Sequence, residues 1–301
     1  MLPSFVSFAA LYSSYLRRCF TGAGLTSQSI PIDDETTVHY WSPKIENPQK
    51  PSLLLIHGFG PMAIWQWRQQ VQFLAPHFNI YVPDLVFFGG STTTSAERSE
   101  RFQAATVGKL VEKLGLKRFH VVGTSYGGFV AYHLAEMLGE RVEKVVIASS
   151  GVNMKKSDNA ALLQRAELEK IEDLMLPVTP QQLRKLMTLA VSKRVQFVPD
   201  FFLKDYLNKL YKENRKEKME LLKAISLGRE DTSNLSSLQQ EVLIVWGEND
   251  RIFPVQMAHE LKEAISQKAR LELIKDASHV PQLEKPVEFN NIILNFLNAS
   301  S

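Results

Sequence analysis

Four stretches of this chain are almost unbroken runs of Val, Leu and Ile: SLLLIHG from Ser52, FHVVG from Phe119, KVVIASS from Lys144 and EVLIVWG from Glu241. A run that is apolar on both pleated faces fits a strand buried on both sides. That is the habit of a parallel sheet covered by helices above and below. The runs belong to a longer rhythm, with strands predicted at 36–41, 52–57, 79–83, 118–123, 143–148, 242–246 and 270–275. Helical periodicity fills the gaps at about 65–75, 99–114, 126–138, 255–266 and 284–298. The alternation predicts an α/β fold with a mostly parallel central sheet flanked by helices.

The rhythm stops between about 152 and 235. That segment is rich in Leu, Lys, Glu and Gln and has no β-branched run. It reads as helices over 159–175, 179–192 and 199–227, with Pro180 and Pro199 at helix starts, where a missing N–H does no harm. Strand character returns at 242, so the segment reads as a helical insert within one α/β domain. Residues 36–151 and 236–301 are then the core, 152–235 the insert, and 1–35 an N-terminal extension. The charged run Lys209 to Lys218 reads as a solvated helix face.

Composition narrows the function classes. Apolar residues make up 45% and charged residues 22% of the 301, and the net charge is only +3, which gives no footprint for nucleic acid. The single Cys19 excludes an intramolecular disulfide and CxxC metal chemistry, and favours a reducing compartment. Sequons at Asn234 and Asn298 matter only in a secreted chain. The first 32 residues carry no acidic side chain, six serines and the pair Arg17-Arg18. Leu2, Phe5, Val6, Ala9, Tyr12, Tyr15 and Leu16 fall at helical spacing, predicting an amphipathic helix over 2–16. It is too short to span a bilayer, and its charge follows the apolar part, unlike a signal peptide. Three readings stand: a helix packed on the protein, which is favoured, an interfacial membrane helix, or an organellar transit peptide. The location is read as cytoplasmic, with membrane association through residues 2–16 as the variant.

The chemistry begins at Gly123-Thr124-Ser125-Tyr126-Gly127-Gly128. This GxSxG pattern lies between a buried-strand run and a helical pattern, the setting of a nucleophile elbow. The glycines Gly123, Gly127 and Gly128 let strand and helix approach closely. The bland alternative is a plain βα turn with Ser125 as helix N-cap. A serine nucleophile needs a base. Of seven histidines, His39, His77, His120, His133 and His259 lie within or beside patterned elements. His279 follows the last strand, at the sheet edge where α/β sites are built. Asp250, in the loop after the preceding strand, is the orienting carboxylate; Glu248, Asp276 and Asp84 compete. His57-Gly58-Phe59-Gly60 ends the strand run from Ser52 in a glycine-rich turn. The amides of Phe59 and Tyr126 are the expected oxyanion donors. His57, Gly58 and Gly60 are read as structural.

With the order Ser125, Asp250, His279, the sequence resembles the α/β-hydrolase family. The resemblance runs from about 36 to 298, through HGFG at 57–60, PDL at 83–85, GTSYGG at 123–128, WGENDRIFP at 246–254 and DASHVPQLEKP at 276–286. It looks most like the lid-bearing lipase/esterase and carbon–carbon-bond hydrolase branch, in a plant-type member. One departure is visible: relatives often show PDLxGFGxS, and here the stretch is PDLVFFGGS, with Gly89 and Gly90 read as serving the same turn. The resemblance implies a serine hydrolase for carboxylic esters or lipids with apolar acyl parts, needing no cofactor or metal. Serine at the elbow argues against the epoxide hydrolases and dehalogenases of the family, which carry Asp there. A carbon–carbon-bond hydrolase and a ligand receptor that keeps the fold are the rivals. The resemblance implies that the 152–235 insert is the family's helical cap, whose Leu176, Met187, Phe197, Phe201, Phe202 and Leu203 either line an acyl pocket or form the cap's own core.

Overall fold

In the computed structural model, residues 7–192, 197–232 and 235–299 are described. The first half runs α1 (Phe8–Gly22), β1 (Leu25–Pro31), β2 (Thr36–Pro43), β3 (Ser52–Ile56), α2 (Ala63–Leu74), β4 (Asn79–Pro83), β5 (Thr92–Thr93), α3 (Glu100–Lys113), β6 (Phe119–Thr124), α4 (Tyr126–Leu138) and β7 (Val142–Ala148). A helical stretch follows: α5 (Lys156–Ala166), α6 (Ile171–Met175), α7 (Pro180–Ala190), α8 (Asp200–Leu210) and α9 (Arg215–Ala224). The chain then returns through β8 (Glu241–Gly247), α10 (Val255–Ile265), β9 (Ala269–Ile274), α11 (Pro281–Glu284) and α12 (Pro286–Asn298).

The strands make one sheet in the order β1-β2-β4-β3-β6-β7-β8-β9, with β5 beside β2. From β4 to β9 every pairing is parallel; the β1, β2 and β5 edge is antiparallel. The four Val/Leu/Ile runs are β3, β6, β7 and β8, in the middle. Alternation splits them between two cores. Leu54, Val121, Val145 and Ile244 face α3, α4 and α10, while Leu53, Val122, Val146 and Val245 face α1, α2 and α12. All eight are fully buried. At about 1.5–3 kcal/mol for each such side chain, the double burial explains why these runs carry no polar alternation.

The structure differs from the sequence reading at four places. The sheet starts earlier, because Leu25–Pro31 pairs along its length with β2. Most of β1 is exposed, so it offers no apolar alternation to read. The N-terminal helix spans Phe8–Gly22 rather than 2–16, and residues 2–6 lie outside the described residues. It is N-capped by Ser7, and its Ala9 N–H donates to Asp205 Oδ2 at 2.7 Å. Ala9, Ser13, Leu16 and Phe20 are buried, whereas Tyr12 and Tyr15 are exposed. Two long helices break where Glu167 and Asn214 take left-handed conformations. Lys218, read as solvated, is instead buried, with its ammonium 4.9 Å from the centre of the Phe88 ring. Burial lowers its pKa, against the opposing pull of Glu213 and Asp84. Asn234 lies outside the described residues, as does Ser300 of the second sequon.

Candidate active site

Ser125 stands alone between the last residue of β6 and the first of α4. Its backbone is held at φ 51° and ψ −123°, a region non-glycine residues avoid. The neighbours enforce this. Ser125 N–H donates to Ala148 O at 2.9 Å, and its carbonyl accepts from Gly128 N at 2.8 Å and Ser150 Oγ at 2.6 Å. Strand and helix meet so closely that a Cβ on Gly127 would lie 2.5 Å from the His57 carbonyl oxygen. One on Gly123 would strike the Gly127 carbonyl, and one on Gly128 the Ser150 hydroxyl. Ser125 does not cap the helix: its side chain makes no N-cap hydrogen bond.

Its hydroxyl meets histidine instead. Ser125 Oγ lies 2.9 Å from His279 Nε2, and His279 Nδ1 lies 2.9 Å from Asp250 Oδ2. Asp250 Oδ1 accepts from Ile252 N at 2.8 Å and Phe253 N at 2.9 Å. An ionised carboxylate only accepts, so Nδ1 carries the proton and Nε2 presents a lone pair to the serine hydroxyl. Asp250 and His279 are both buried, with the Phe253 ring 5.5 Å from the imidazole. The competing acids are placed elsewhere. Glu248 and Asp276 are exposed. Asp84 is buried but holds His39 Nδ1 at 2.8 Å and Ala63 N at 2.9 Å.

HGFG forms the opposite wall. A Cβ on Gly58 would lie 3.0 Å from the Ser125 Cβ, so this loop backs directly onto the serine. His57 Nδ1–H donates to the Gly58 carbonyl at 2.8 Å, and its Nε2 accepts from Leu85 N at 2.9 Å. Burial lowers the pKa of His57, although Asp84 pulls the other way. Gly60 sits at φ +144°. The Phe59 ring meets those of Tyr126 and Phe88 edge-on, at 5.8 and 5.3 Å. Among the described residues, neither the Phe59 nor the Tyr126 amide is hydrogen-bonded to another backbone group.

Two supporting residues were not assigned from sequence. Gln66 on α2 braces the loop: its Oε1 accepts from Gly58 N at 2.8 Å, and its Nε2 donates to Pro61 O at 2.7 Å. A glutamine on a helix one turn beyond a glycine loop carries no distinctive pattern. Glu284 braces the histidine loop, accepting from Ser278 N at 2.7 Å and Ser192 N at 2.6 Å. Its place in H-x-P-x-x-E was a signal, but its partners are visible only in three dimensions.

The PDLVFFGGS departure also resolves. Gly89 sits at φ +53°, where a Cβ would overlap the Asp84 carboxylate, so it serves the turn. Phe87 holds φ 72° in the position where relatives often show glycine. Its carbonyl accepts from Asn214 Nδ2 at 3.1 Å and its ring lies 4.7 Å beneath the Arg98 guanidinium, which itself pairs with Glu220 at 2.8 Å. The strained turn is thereby fastened to α9 of the helical stretch. Of the side chains considered for an acyl pocket, Leu176 and Leu203 are buried in that stretch's own core, with Met187 packed against it. Phe197, Phe201 and Phe202 are exposed.

A serine and histidine joined above the carboxyl ends of parallel strands mark a hydrolase scaffold. A family model described as the alpha/beta hydrolase fold matches residues 51–286, and the chain belongs to that family. It is 26% identical over 257 residues to monoacylglycerol lipase ABHD6 of Homo sapiens, covering 82% of this chain and 75% of the relative. It is 25% identical over 283 residues to 2-hydroxy-6-oxononadienedioate/2-hydroxy-6-oxononatrienedioate hydrolase 1 of Pseudomonas putida, covering 90% of this chain and 96% of that one. The crystal structure of the protein lip1 from Acinetobacter baumannii superposes with a TM-score of 0.80 at 24% identity, covering 95% of each chain, and shares the fold.

Proposed function

We propose that this chain is a serine hydrolase that cleaves carboxylic esters with an apolar acyl part through an acyl-enzyme on Ser125. The observation that carries the reading is the line of polar atoms from Ser125 Oγ through His279 to Asp250, 2.9 Å at each step. His279 Nε2 takes the hydroxyl proton as Ser125 Oγ attacks the carbonyl carbon. Asp250 keeps the required tautomer and stabilises the imidazolium. The amides of Phe59 and Tyr126 receive the oxyanion, with Gln66 fixing the loop that bears one of them. The imidazolium returns its proton to the leaving alkoxide. Water, activated by the same base, then releases the acid and restores Ser125. An apolar acyl part is favoured because Phe59, on the loop that backs onto the serine, packs with Met62 against an apolar cluster of the helical stretch that includes Tyr211 and Leu222.

The Pseudomonas relative, aligned over nearly its full length, supports carbon–carbon-bond cleavage on the same three residues as the second reading. A panel of p-nitrophenyl esters of increasing chain length, run beside vinylogous diketones, separates the two. Ser125→Ala is expected to abolish ester turnover and fluorophosphonate labelling while leaving the melting temperature near wild type. Turnover and labelling at wild-type levels in that variant would remove Ser125 as nucleophile.

A further inference from the structure

Helix α1 has two apolar faces, and only one of them is covered. Ala9, Ser13, Leu16 and Phe20 fix it to the body of the protein. The neighbouring face, Phe8, Leu11, Tyr12 and Tyr15, follows i, i+3, i+4, i+7 spacing and points outward. Leu11 is 59% and Tyr15 49% exposed. The stripe continues onto α8, more than 180 residues away in sequence. The Phe8 ring lies 4.7 Å from Phe202 and 6.3 Å from Phe201, which is 51% exposed. Two distant segments thus build one outward aromatic surface. The buried face holds it in place, so it cannot turn inward.

Basic side chains flank this surface. Helix α1 contains no acidic residue and carries Arg17 and Arg18, both exposed. Lys204 is exposed on α8. The two acids of α8 are already engaged: Asp205 accepts from the Ala9 amide at 2.7 Å, and Asp200 pairs with Arg184 at 2.6 Å. Among the described residues, Arg17, Arg18 and Lys204 form no ion pair.

We propose that the α1–α8 surface docks onto an anionic lipid bilayer, with Phe8, Leu11, Tyr12, Tyr15, Phe201 and Phe202 entering the headgroup region and Arg17, Arg18 and Lys204 meeting lipid phosphates. Exposed aromatic side chains with a basic rim are the composition of interfacial anchors. Unpaired cations beside the stripe match a negative surface. Among the described residues no helix is long and apolar enough to cross a membrane, so the contact lies in the interface. The segment that carries α8 also carries Tyr211, whose hydroxyl approaches Gly60 of the HGFG loop.

Flotation of the full chain with vesicles tests this. Equimolar phosphatidylcholine and phosphatidylglycerol is expected to bind at least about tenfold more tightly than phosphatidylcholine alone. Leu11→Glu with Phe201→Glu is expected to lower binding at least about tenfold, because a charge cannot replace an inserted apolar side chain. Arg17→Glu with Arg18→Glu is expected to erase the preference for the anionic vesicles. Melting temperature and hydrolysis of a short soluble ester should stay at wild-type levels; if the double glutamate variant fails to fold, Tyr15→Ser replaces it. Wild-type protein that floats with neither vesicle, or a folded variant that floats like wild type, overturns the proposal. So does a wild-type dimer in sedimentation that the variants convert to monomer with no vesicle binding, since the surface would then serve a second copy of the chain.

Discussion

Asp250→Asn is the most informative single change at this site. The carboxylate accepts from Ile252 N, from Phe253 N and from His279 Nδ1. An amide keeps one acceptor oxygen. The two backbone donors claim it, which turns the NH2 toward His279. The imidazole must then accept at Nδ1 and carry its proton on Nε2, facing Ser125 with the wrong tautomer. Loss of the tautomer in a triad costs about 10⁴ in kcat, or about 5 kcal/mol of barrier. Folding should hardly change, because the two loop hydrogen bonds survive. Asp250→Ala should differ: it leaves both amides unpaired in a buried site, at about 1–3 kcal/mol each, and lowers the melting temperature as well as activity. Steady-state kinetics on p-nitrophenyl butyrate and differential scanning fluorimetry read the two effects separately. An Asn variant within tenfold of wild-type kcat would refute the tautomer argument. An Asn variant that melts like the Ala variant would refute the assignment of its oxygen to Ile252 and Phe253.

Gly127→Val should abolish soluble expression or activity, since its side chain would meet the backbone carbonyls of Ile56 and His57; a soluble variant with wild-type turnover would contradict the close approach. Gln66→Ala should lower kcat of ester hydrolysis by about 10–100-fold with little change in KM, because Phe59 N–H would lose its fixed position, and unaltered kcat would count against the loop as oxyanion donor. Glu100 gives a pH signature. Burial raises its pKa, but His133 and hydrogen bonds from Ser226 outweigh burial and bring it from 4.5 down to about 2. Its stabilising contribution is therefore full above about pH 4.5 and is lost as pH falls toward about 2. Glu100→Gln should destabilise by about 2–3 kcal/mol at neutral pH in urea titrations, and the gap from wild type should close between about pH 4.5 and 2; a gap constant across that range would refute the shift.

Much of the frame was legible in the chain itself. Doubly buried strands such as Leu53–Ile56 and Val242–Val245 admit no polar residue on either face, so their runs announce a covered parallel sheet. The periodicity of α3, α4 and α10 followed for the same reason. What stayed hidden was whatever depends on a partner distant in sequence. Strand β1 is mostly exposed and held by backbone pairing with β2, so its side chains carry no pattern. The α1 stripe looked like one apolar face, and only the docking of Leu16 and Phe20 against the core divided it into a buried and an open half. Lys218 read as a surface lysine because a cation buried over Phe88 has the same local sequence as a solvated one.

The candidate site divides along the same line. Residue identity and order put Ser125, Asp250 and His279 forward as candidates, because loops at strand ends are where a βα fold exposes side chains together. The sequence alone left Glu248, Asp276 and Asp84 as rivals, and it could not tell a capping serine from a presented one. Tertiary structure decided both questions through distance and prior commitment. Two acids face solvent, and Asp84 is taken up by His39 and Ala63. The hydroxyl of Ser125 reaches an imidazole from a loop 154 residues further along the chain. Periodicity records which side of an element is dry, and so it travels with the sequence. Which groups meet across the sheet edge is set by packing, and exists only once the chain has closed.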